Sequence, residues 1–142
     1  MQGFIFSPLS RKGEGVIIKN LYIMNRKKVV GNFGEKLACE YLIKKGYKIV
    51  DRNIKTSYFE IDIIAEKNNL YIFVEVKTRT SNIYGGADGA ISSRKIKSIK
   101  RGAGRYIFKN KIDENMVRFD FISVDINKNE KSAKIKHYKD II

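Results

Sequence analysis

The chain has 142 residues, enough for one domain with a sizeable apolar core, and its 43% hydrophobic and 31% charged residues are typical of a globular protein. Lys and Arg number 29 against 15 Asp and Glu, which gives a formal net charge of +14. Charged residues interrupt every apolar run long before the roughly eighteen residues of a membrane span. The charge favours a polyanionic partner, either nucleic acid or an anionic membrane surface, and general enrichment in lysine is the plainer alternative.

The N-terminal residues differ from the rest of the chain. Residues 1–23 contain the only proline and show no regular spacing of apolar residues. We predict that they form an N-terminal extension, a candidate for disorder, ahead of a domain that spans residues 24–142. A helix is predicted from Val30 to Lys45, because its apolar residues recur at helical spacing. Gly46 follows at the place where a left-handed C-cap belongs.

The middle and C-terminal parts of the chain alternate between strand and helix patterns. A second helix is predicted from an N-cap at Ser92 or Ser93 to about Phe108. Segments rich in Ile, Val, Tyr and Phe, with turn residues between them, predict five strands: Tyr47–Asn53, Phe59–Glu66, Leu70–Thr78, Met116–Ile126 and Ala133–Tyr138. This order of elements predicts one α/β or α+β domain.

Positive charge is concentrated on the second helix. Between Ser92 and Lys111 there are eight basic residues and no acidic one. A helix that is merely solvated usually mixes both signs, so the distribution favours nucleic acid as the partner. The candidate nucleic-acid-binding residues are five cations of this segment and one arginine after the third strand: Arg79, Arg94, Lys95, Lys97, Lys100 and Arg101. No membrane partner is expected, because the chain lacks an extended amphipathic helix with a large apolar face.

Two of the predicted strands place acidic residues opposite each other. Asn68-Asn69 predicts a two-residue hairpin turn, since Asn tolerates positive φ. The register that follows pairs Asp62 with Glu75 and Glu60 with Lys77 on one face of the sheet. Two facing carboxylates lie roughly 5 Å apart at Cβ and repel each other, more strongly if the apolar strands bury them.

A divalent cation would relieve this repulsion. Mg²⁺ is typically held by one or two carboxylates and takes up substrate phosphate oxygens, so Asp62 and Glu75 are predicted to bind Mg²⁺ or Mn²⁺. Lys77 can orient or deprotonate an attacking water, and Glu35 can supply a further oxygen ligand. The plainer alternatives are a half-exposed strand with a salt bridge, an ion pair of Glu60 with Lys77, and a solvated glutamate at position 35.

Other chemistries have less support. The single histidine, His137, argues against a His-rich zinc site and against a Ser-His-Asp triad, and we interpret it as a solvated strand residue. The single cysteine, Cys39, is interpreted as a core residue. Because a single cysteine cannot form an internal disulfide, it fits a reducing cytoplasm, which is the expected location.

Three motifs in order resemble the YraN-like family of uncharacterised proteins: Gly31-x-x-Gly34-Glu35, Glu60-Ile61-Asp62-Ile63-Ile64-Ala65 and Val74-Glu75-Val76-Lys77-Thr78-Arg79. That family is similar to archaeal Holliday-junction resolvases and other nucleases of the PD-(D/E)XK class. The resemblance implies an α/β fold with a restriction-endonuclease-like core, a mixed central β-sheet flanked by helices. It implies Asp62, Glu75 and Lys77 as catalytic residues and Glu35 as a helix-borne metal ligand. Phe59 departs from the pattern, because such proteins usually carry glycine before Glu-Ile-Asp.

The expected function is therefore that of a Mg²⁺-dependent endonuclease-like protein acting on structured or branched DNA. One alternative is a nucleic-acid-binding module of the same fold without turnover. Another is a basic adaptor that docks an acidic protein or an anionic membrane. Resolvases of this class cut as dimers, so a homodimer is an expectation by analogy alone.

Overall fold

The structure, a computed structural model, describes residues 2–6, 27–55, 59–81 and 91–142. In these ranges strands and helices follow the predicted order, with an added strand at the start and a short 3₁₀ helix at Glu114–Met116. The main elements are β1 (Gln2–Phe6), α1 (Lys27–Lys44), β2 (Lys48–Lys55), β3 (Glu60–Lys67), β4 (Leu70–Ser81), α2 (Ser93–Lys109), β5 (Val117–Asn127) and β6 (Ser132–Tyr138).

The strands form one mixed sheet in the order β1-β6-β5-β4-β3-β2. Neighbouring strands are antiparallel except β4 and β5, which are parallel because α2 carries the chain back between them. The predicted α/β fold is confirmed, and it is consistent with a restriction-endonuclease-like core. In the part of the chain that the structure describes, no helix combines the length and apolar character needed to cross a bilayer.

The two helices cover opposite faces of the sheet. Residues of α1 pack with one set of strand residues into a large core that includes Leu37, Leu42 and Ile63. Residues of α2, such as Ala103, pack with Phe73 and others into a second core on the other face. Because both faces are covered, residues 61–65 of β3 are all buried, a continuous run typical of central strands. Cys39 lies in the first core, as predicted.

Local sequence determines how α1 ends. Gly46 adopts φ +85°, the left-handed conformation that glycine tolerates best. Its amide donates to the carbonyl of Ile43 at 3.0 Å, and the amide of Tyr47 donates to the carbonyl of Leu42 at 2.9 Å. This pair of bonds is the Schellman arrangement and satisfies carbonyls at the helix end. The chain then turns directly into β2.

A glycine also sets how closely α1 approaches the sheet. A Cβ at Gly34 would overlap the side chain of Thr78 on β4. Only glycine therefore allows this contact without displacing the helix or the strand. The next residue, Glu35, is thereby held within electrostatic range of Asp62 and Glu60 on β3.

The second helix begins as predicted and makes room for Phe59. The hydroxyl of Ser92 accepts a hydrogen bond from the amide of Lys95 at 3.2 Å, which is an N-cap. Gly102 is buried in the helix, and a Cβ there would lie 2.9 Å from Cβ of Phe59. The guanidinium of Arg105 lies 5.5 Å from the centre of the same ring. The bulky residue that departs from the family pattern is thus accommodated under α2 by a glycine.

Part of the predicted N-terminal extension belongs to the sheet. The backbone of Gln2–Phe6 pairs antiparallel with β6, with Phe4 opposite Ile135. These five residues therefore form an edge strand, which the lack of periodicity in residues 1–23 did not predict. Residues 7–23 and the proposed boundary after residue 23 lie outside the described ranges.

Candidate functional site

The site lies where β3 and β4 separate. Asn68 and Asn69 adopt φ of 51° and 62°, as a two-residue hairpin turn requires, and the predicted register holds as far as Ile63 opposite Val74. The paired residues end there. Glu60 lies instead opposite Lys55 on β2, with 3.5 Å between Nζ and Oε1. The predicted pairing of Glu60 with Lys77 was therefore wrong, because the register was extended beyond the point where the strands diverge.

Asp62 is the first residue of β3, counted from the hairpin turn, that no longer pairs with β4. Its side chain is buried, with 8% of the residue exposed, and its Oδ2 accepts a hydrogen bond from the amide of Val76 at 2.8 Å. In a regular antiparallel pair, the amide of Val76 would donate to a backbone carbonyl of β3. Here it donates to the carboxylate of Asp62 instead. It is also hydrogen bonded to the side chain of Glu75. The structure therefore brings Asp62 and Glu75 into direct contact, although not as a regular cross-strand pair.

The two carboxyl groups cannot both carry a charge at low cost. Burial, and then the charge of Asp62, raise the pKa of Glu75 to about 8, against the opposing effect of Lys95. Burial also raises the pKa of Asp62, although the hydrogen bonds from Val76 and Glu75 favour its ionised form. The pair therefore holds one proton near neutral pH, carried by Glu75 and donated to Asp62.

Two lysines lie beside the pair. Nζ of Lys95, in the first turn of α2, lies 3.0 Å from Oε1 of Glu75. Lys77 is exposed and shares a cleft of about 360 Å³ with Glu75, Lys95 and Ser92. Sequence reasoning assigned Lys95 to nucleic acid and missed this contact. Its position in the first turn of the helix that follows β4 was the available signal.

Glu35 approaches from the other face of the sheet. Burial, and then the charges of Asp62 and Glu60, raise its pKa to about 6, and a hydrogen bond with Asn53 acts in the opposite direction. Its Oε2 is buried and has no hydrogen-bond partner among the described residues. A buried carboxylate oxygen without a donor is costly, and a cation is one group that would satisfy it.

Two of the three predicted metal ligands are in contact, and the third lies nearby. The described residues contain no group of three or more His, Cys, Asp or Glu side chains arranged to hold a metal ion. Asp62 and Glu75 are nevertheless a suitable donor set for Mg²⁺, which often takes only one or two protein carboxylates. The orphaned oxygen of Glu35 also fits a cation. The donor chemistry of Asp62 and Glu75 is therefore compatible with the predicted metal, and Glu35 lies within electrostatic range of Asp62.

The predicted nucleic-acid-binding residues divide into two groups. Arg94, Lys97, Lys100 and Arg101 are exposed along α2. Lys95 instead contacts Glu75, and Arg79 is half-buried on β4, opposite Asp125 of β5. The four exposed cations therefore lie on the same helix as Lys95, the residue that contacts Glu75.

A second polar cluster, which sequence reasoning missed, lies on β5 and β6, where Asp120 is opposite Val74 of β4, the residue before Glu75. Asp120 accepts bonds of 2.8 Å from both Nε and Nη2 of Arg118, and one of 3.0 Å from the amide of Asp140. Nε2 of His137 lies 2.7 Å from Oδ2 of the same carboxylate, and because a carboxylate only accepts, Nε2 carries the proton. Arg118 also donates to the hydroxyl of Tyr47 at 3.1 Å.

His137 is therefore not a solvated strand residue, and that prediction was wrong. It is 2% exposed, and the rings of Tyr41 and Tyr47 lie 5.7 and 5.9 Å from it. The alternation along β6 contained the signal, because Ala133, Ile135 and His137 share its buried face. Burial raises the pKa of Asp120, but the bonds from His137 and Arg118 outweigh it and leave the pKa below its ordinary value. This cluster anchors the C-terminal residues to β5.

A mixed sheet with a helix on each face and paired carboxylates where two central strands separate defines an α/β protein with a restriction-endonuclease-like core. Within that class, the chain belongs to the uncharacterised protein family UPF0102, whose family model matches residues 34–124. It is 44% identical over 116 residues to a UPF0102 protein of Alkaliphilus oremlandii, covering 80% of this chain and 96% of that protein. A UPF0102 protein of Caldanaerobacter subterraneus is 46% identical over 101 residues, which are 71% of this chain and 83% of the relative. The family resemblance identified from the motifs is confirmed.

Proposed function

We propose that the protein is a metal-dependent endonuclease that acts on structured or branched DNA in the cytoplasm. The observation that carries the proposal is the buried contact of Asp62 with Glu75 at the separation of β3 and β4. Folding brings the two carboxyl groups together although burial raises the pKa of both. Apolar packing gives no reason for two acidic side chains at this place, so a function is the better explanation. Groups with strongly perturbed pKa values beside a cleft are typical of functional sites.

Each residue of the site has a role in this proposal. Asp62 and Glu75 would hold Mg²⁺ or Mn²⁺, and Glu35 would add negative charge from the opposite face. A bound divalent cation would lower the pKa of an attacking water and polarise a phosphate oxygen. Lys77 lines the same cleft as Glu75, where its ammonium would stabilise charge that develops on a phosphate.

The exposed cations of α2 would hold the DNA. Contacts of Arg94, Lys97, Lys100 and Arg101 with phosphates would give affinity without reading base sequence. The surface starts at the turn that carries Lys95, so a backbone bound along it would pass the mouth of the cleft. By analogy with enzymes that cut symmetric junctions as dimers, a homodimer would place two such sites on a symmetric branched substrate.

One observation favours a second candidate, a nucleic-acid-binding module without turnover. The ammonium of Lys95 lies 3.0 Å from Oε1 of Glu75, beside the oxygen that a metal would take. A protein that uses this lysine contact in place of a metal would keep the fold and the basic surface but would not cleave DNA. The two candidates differ in whether bound DNA is cleaved when Mg²⁺ or Mn²⁺ is added.

A cleavage assay separates these candidates. We expect the wild type to cut a labelled four-way DNA junction in Mn²⁺ or Mg²⁺ but not in EDTA. The Asp62→Asn variant should lose activity by about a hundredfold or more, because it removes a ligand and the partner of Glu75. The Glu114→Gln variant, which changes an exposed acid of the 3₁₀ helix, serves as the matched control and should cut normally. Binding of the junction without cleavage in any metal would overturn the nuclease and leave the binding module.

A further inference from the structure

The exposed side of α2 carries more than positive charge. The residues that face the sheet, Ile99, Ala103 and Ile107, are buried. On the opposite side of the helix, positions three or four residues apart are all exposed, and we call them the outer stripe: Arg94, Lys97, Arg101, Gly104 and Phe108. The outer stripe therefore combines three cations, a glycine and an aromatic ring on one helix face.

Phe108 is the most exposed large apolar residue among those that the structure describes. It is 87% exposed, compared with 58% for Ile43 on α1. A single exposed apolar side chain needs no explanation by itself. At Gly104, one turn earlier on the same stripe, an added Cβ would meet no atom within 4 Å. A flat aromatic ring thus stands beside open space, at the end of a row of cations.

We propose that Phe108 stacks on an unpaired base of a nucleic acid whose phosphates lie along Lys97 and Arg101. Sites for single strands combine these two features, a basic track for the backbone and an aromatic ring for a base. Arg101 and Lys97 precede Phe108 by about 10 and 16 Å along the helix axis, at 1.5 Å per residue. These distances correspond to a few nucleotides, so one short strand can reach all three side chains.

Charge identifies nucleic acid, not a second copy of the chain, as the occupant. The helix contains no acidic residue, and the whole chain has a net charge of +14. Two copies meeting through their outer stripes would bring Lys97 and Arg101 of each close to like charges, which disfavours association. A polyanion is attracted by the same residues. Nucleic acid offers both a negative backbone for the cations and flat bases that stack on Phe108.

The inference deepens the proposed function and rests on it for the binding of nucleic acid. It narrows the substrate class to DNA with unpaired nucleotides, such as gaps, flaps and the centres of branched structures. A continuous duplex keeps its bases stacked inside and offers none to Phe108. Loss of the ring should therefore weaken binding to unpaired DNA and leave binding to a blunt duplex unchanged.

Fluorescence anisotropy with two labelled probes of equal length, a single-stranded oligothymidylate and a blunt duplex, tests this in EDTA. We expect Phe108→Ala and Phe108→Leu to weaken binding of the single strand roughly 5- to 150-fold, the range measured for loss of one base stack. Phe108→Tyr should bind as the wild type does, because it keeps an aromatic face. Ile43→Ala, at an exposed apolar residue on the other helix, is the matched control and should change neither affinity.

Four results would overturn the inference. If Phe108→Leu binds the single strand as tightly as Phe108→Tyr, the contact is apolar and not a stack. If Phe108→Ala weakens the duplex and the single strand equally, the ring does not distinguish unpaired bases. If sedimentation shows a wild-type dimer that Phe108→Ala dissociates, the outer stripe is a protein interface. If the wild type binds neither probe, the proposed function itself is contradicted. If the wild type binds the duplex tightly and Phe108→Ala changes neither affinity, only this inference is contradicted.

Discussion

Replacing Asp120 with alanine is expected to lower the free energy of unfolding by about 3–5 kcal/mol, the usual cost of removing one partner of a buried ionic network. The carboxylate accepts four hydrogen bonds, from Arg118, His137 and the amide of Asp140. Its loss leaves these donors without an acceptor, and His137 has almost no access to water. The effect is large because one side chain connects β5, β6 and the C-terminal residues.

Urea unfolding of the wild type and of Asp120→Ala at pH 7 measures this difference. Asp113→Ala is the control, since Asp113 only caps the short 3₁₀ helix and its loss should cost about 1 kcal/mol. The pKa of Asp120 is lowered in the folded state, so its contribution is present above its unfolded pKa and is lost as the pH falls through the folded value. The gap between wild type and variant should therefore narrow below about pH 4. A loss no greater than that of the control would contradict the anchoring role.

The Glu75→Gln variant is expected to be more stable than the wild type at alkaline pH, by about 1–3 kcal/mol at pH 9. The folded pKa of Glu75 is about 8, above its unfolded value of 4.5. The stability that comes from this proton is complete below pH 4.5 and is lost as the pH rises through 8, because the unfolded chain releases the proton first. Glutamine has no proton to lose, so this part of the pH dependence should disappear.

Chemical denaturation at intervals from pH 5 to pH 9 gives the profile for both proteins. Subtracting the free energy of unfolding of Glu75→Gln from that of the wild type cancels the titration of all other groups. The control is Glu130→Gln, at an exposed turn, which should follow the wild-type profile. Parallel profiles for the wild type and Glu75→Gln would show that Glu75 is ionised throughout. In that case the shared proton of the Asp62–Glu75 pair would have to be abandoned.

Local patterns predicted the fold and the approximate place of the site. The spacing of apolar residues predicted both helices, and Gly46 and Ser92 marked ends that the structure confirms within a few residues. The Asn68-Asn69 turn determined the hairpin register, since two adjacent residues with positive φ leave few alternatives. These features depend on neighbours in sequence, which is why the sequence was sufficient for them.

Interactions between distant residues could not be predicted in the same way. The register of β3 with β4 ends where Asp62 takes the amide of Val76, a competition between side chain and backbone that strand alternation does not contain. The contact of Lys95 with Glu75 depends on how α2 crosses the sheet. His137 looked solvated because the acceptor that allows its burial, Asp120, is on another strand.

The central claim is that Asp62 and Glu75 are kept together to hold a divalent cation. The most direct test is the unfolding temperature at pH 8 of the wild type and of Asp62→Asn, each measured with Mn²⁺ and with EDTA. We predict that Mn²⁺ raises the unfolding temperature of the wild type, since a ligand stabilises the state that binds it. In EDTA, Asp62→Asn should be more stable than the wild type by about 1 kcal/mol, because the buried charge of Asp62 beside the half-ionised Glu75 is gone, and Mn²⁺ should not affect it. A wild type indifferent to Mn²⁺, together with a destabilised Asp62→Asn, would show that the pair is structural and would contradict the claim.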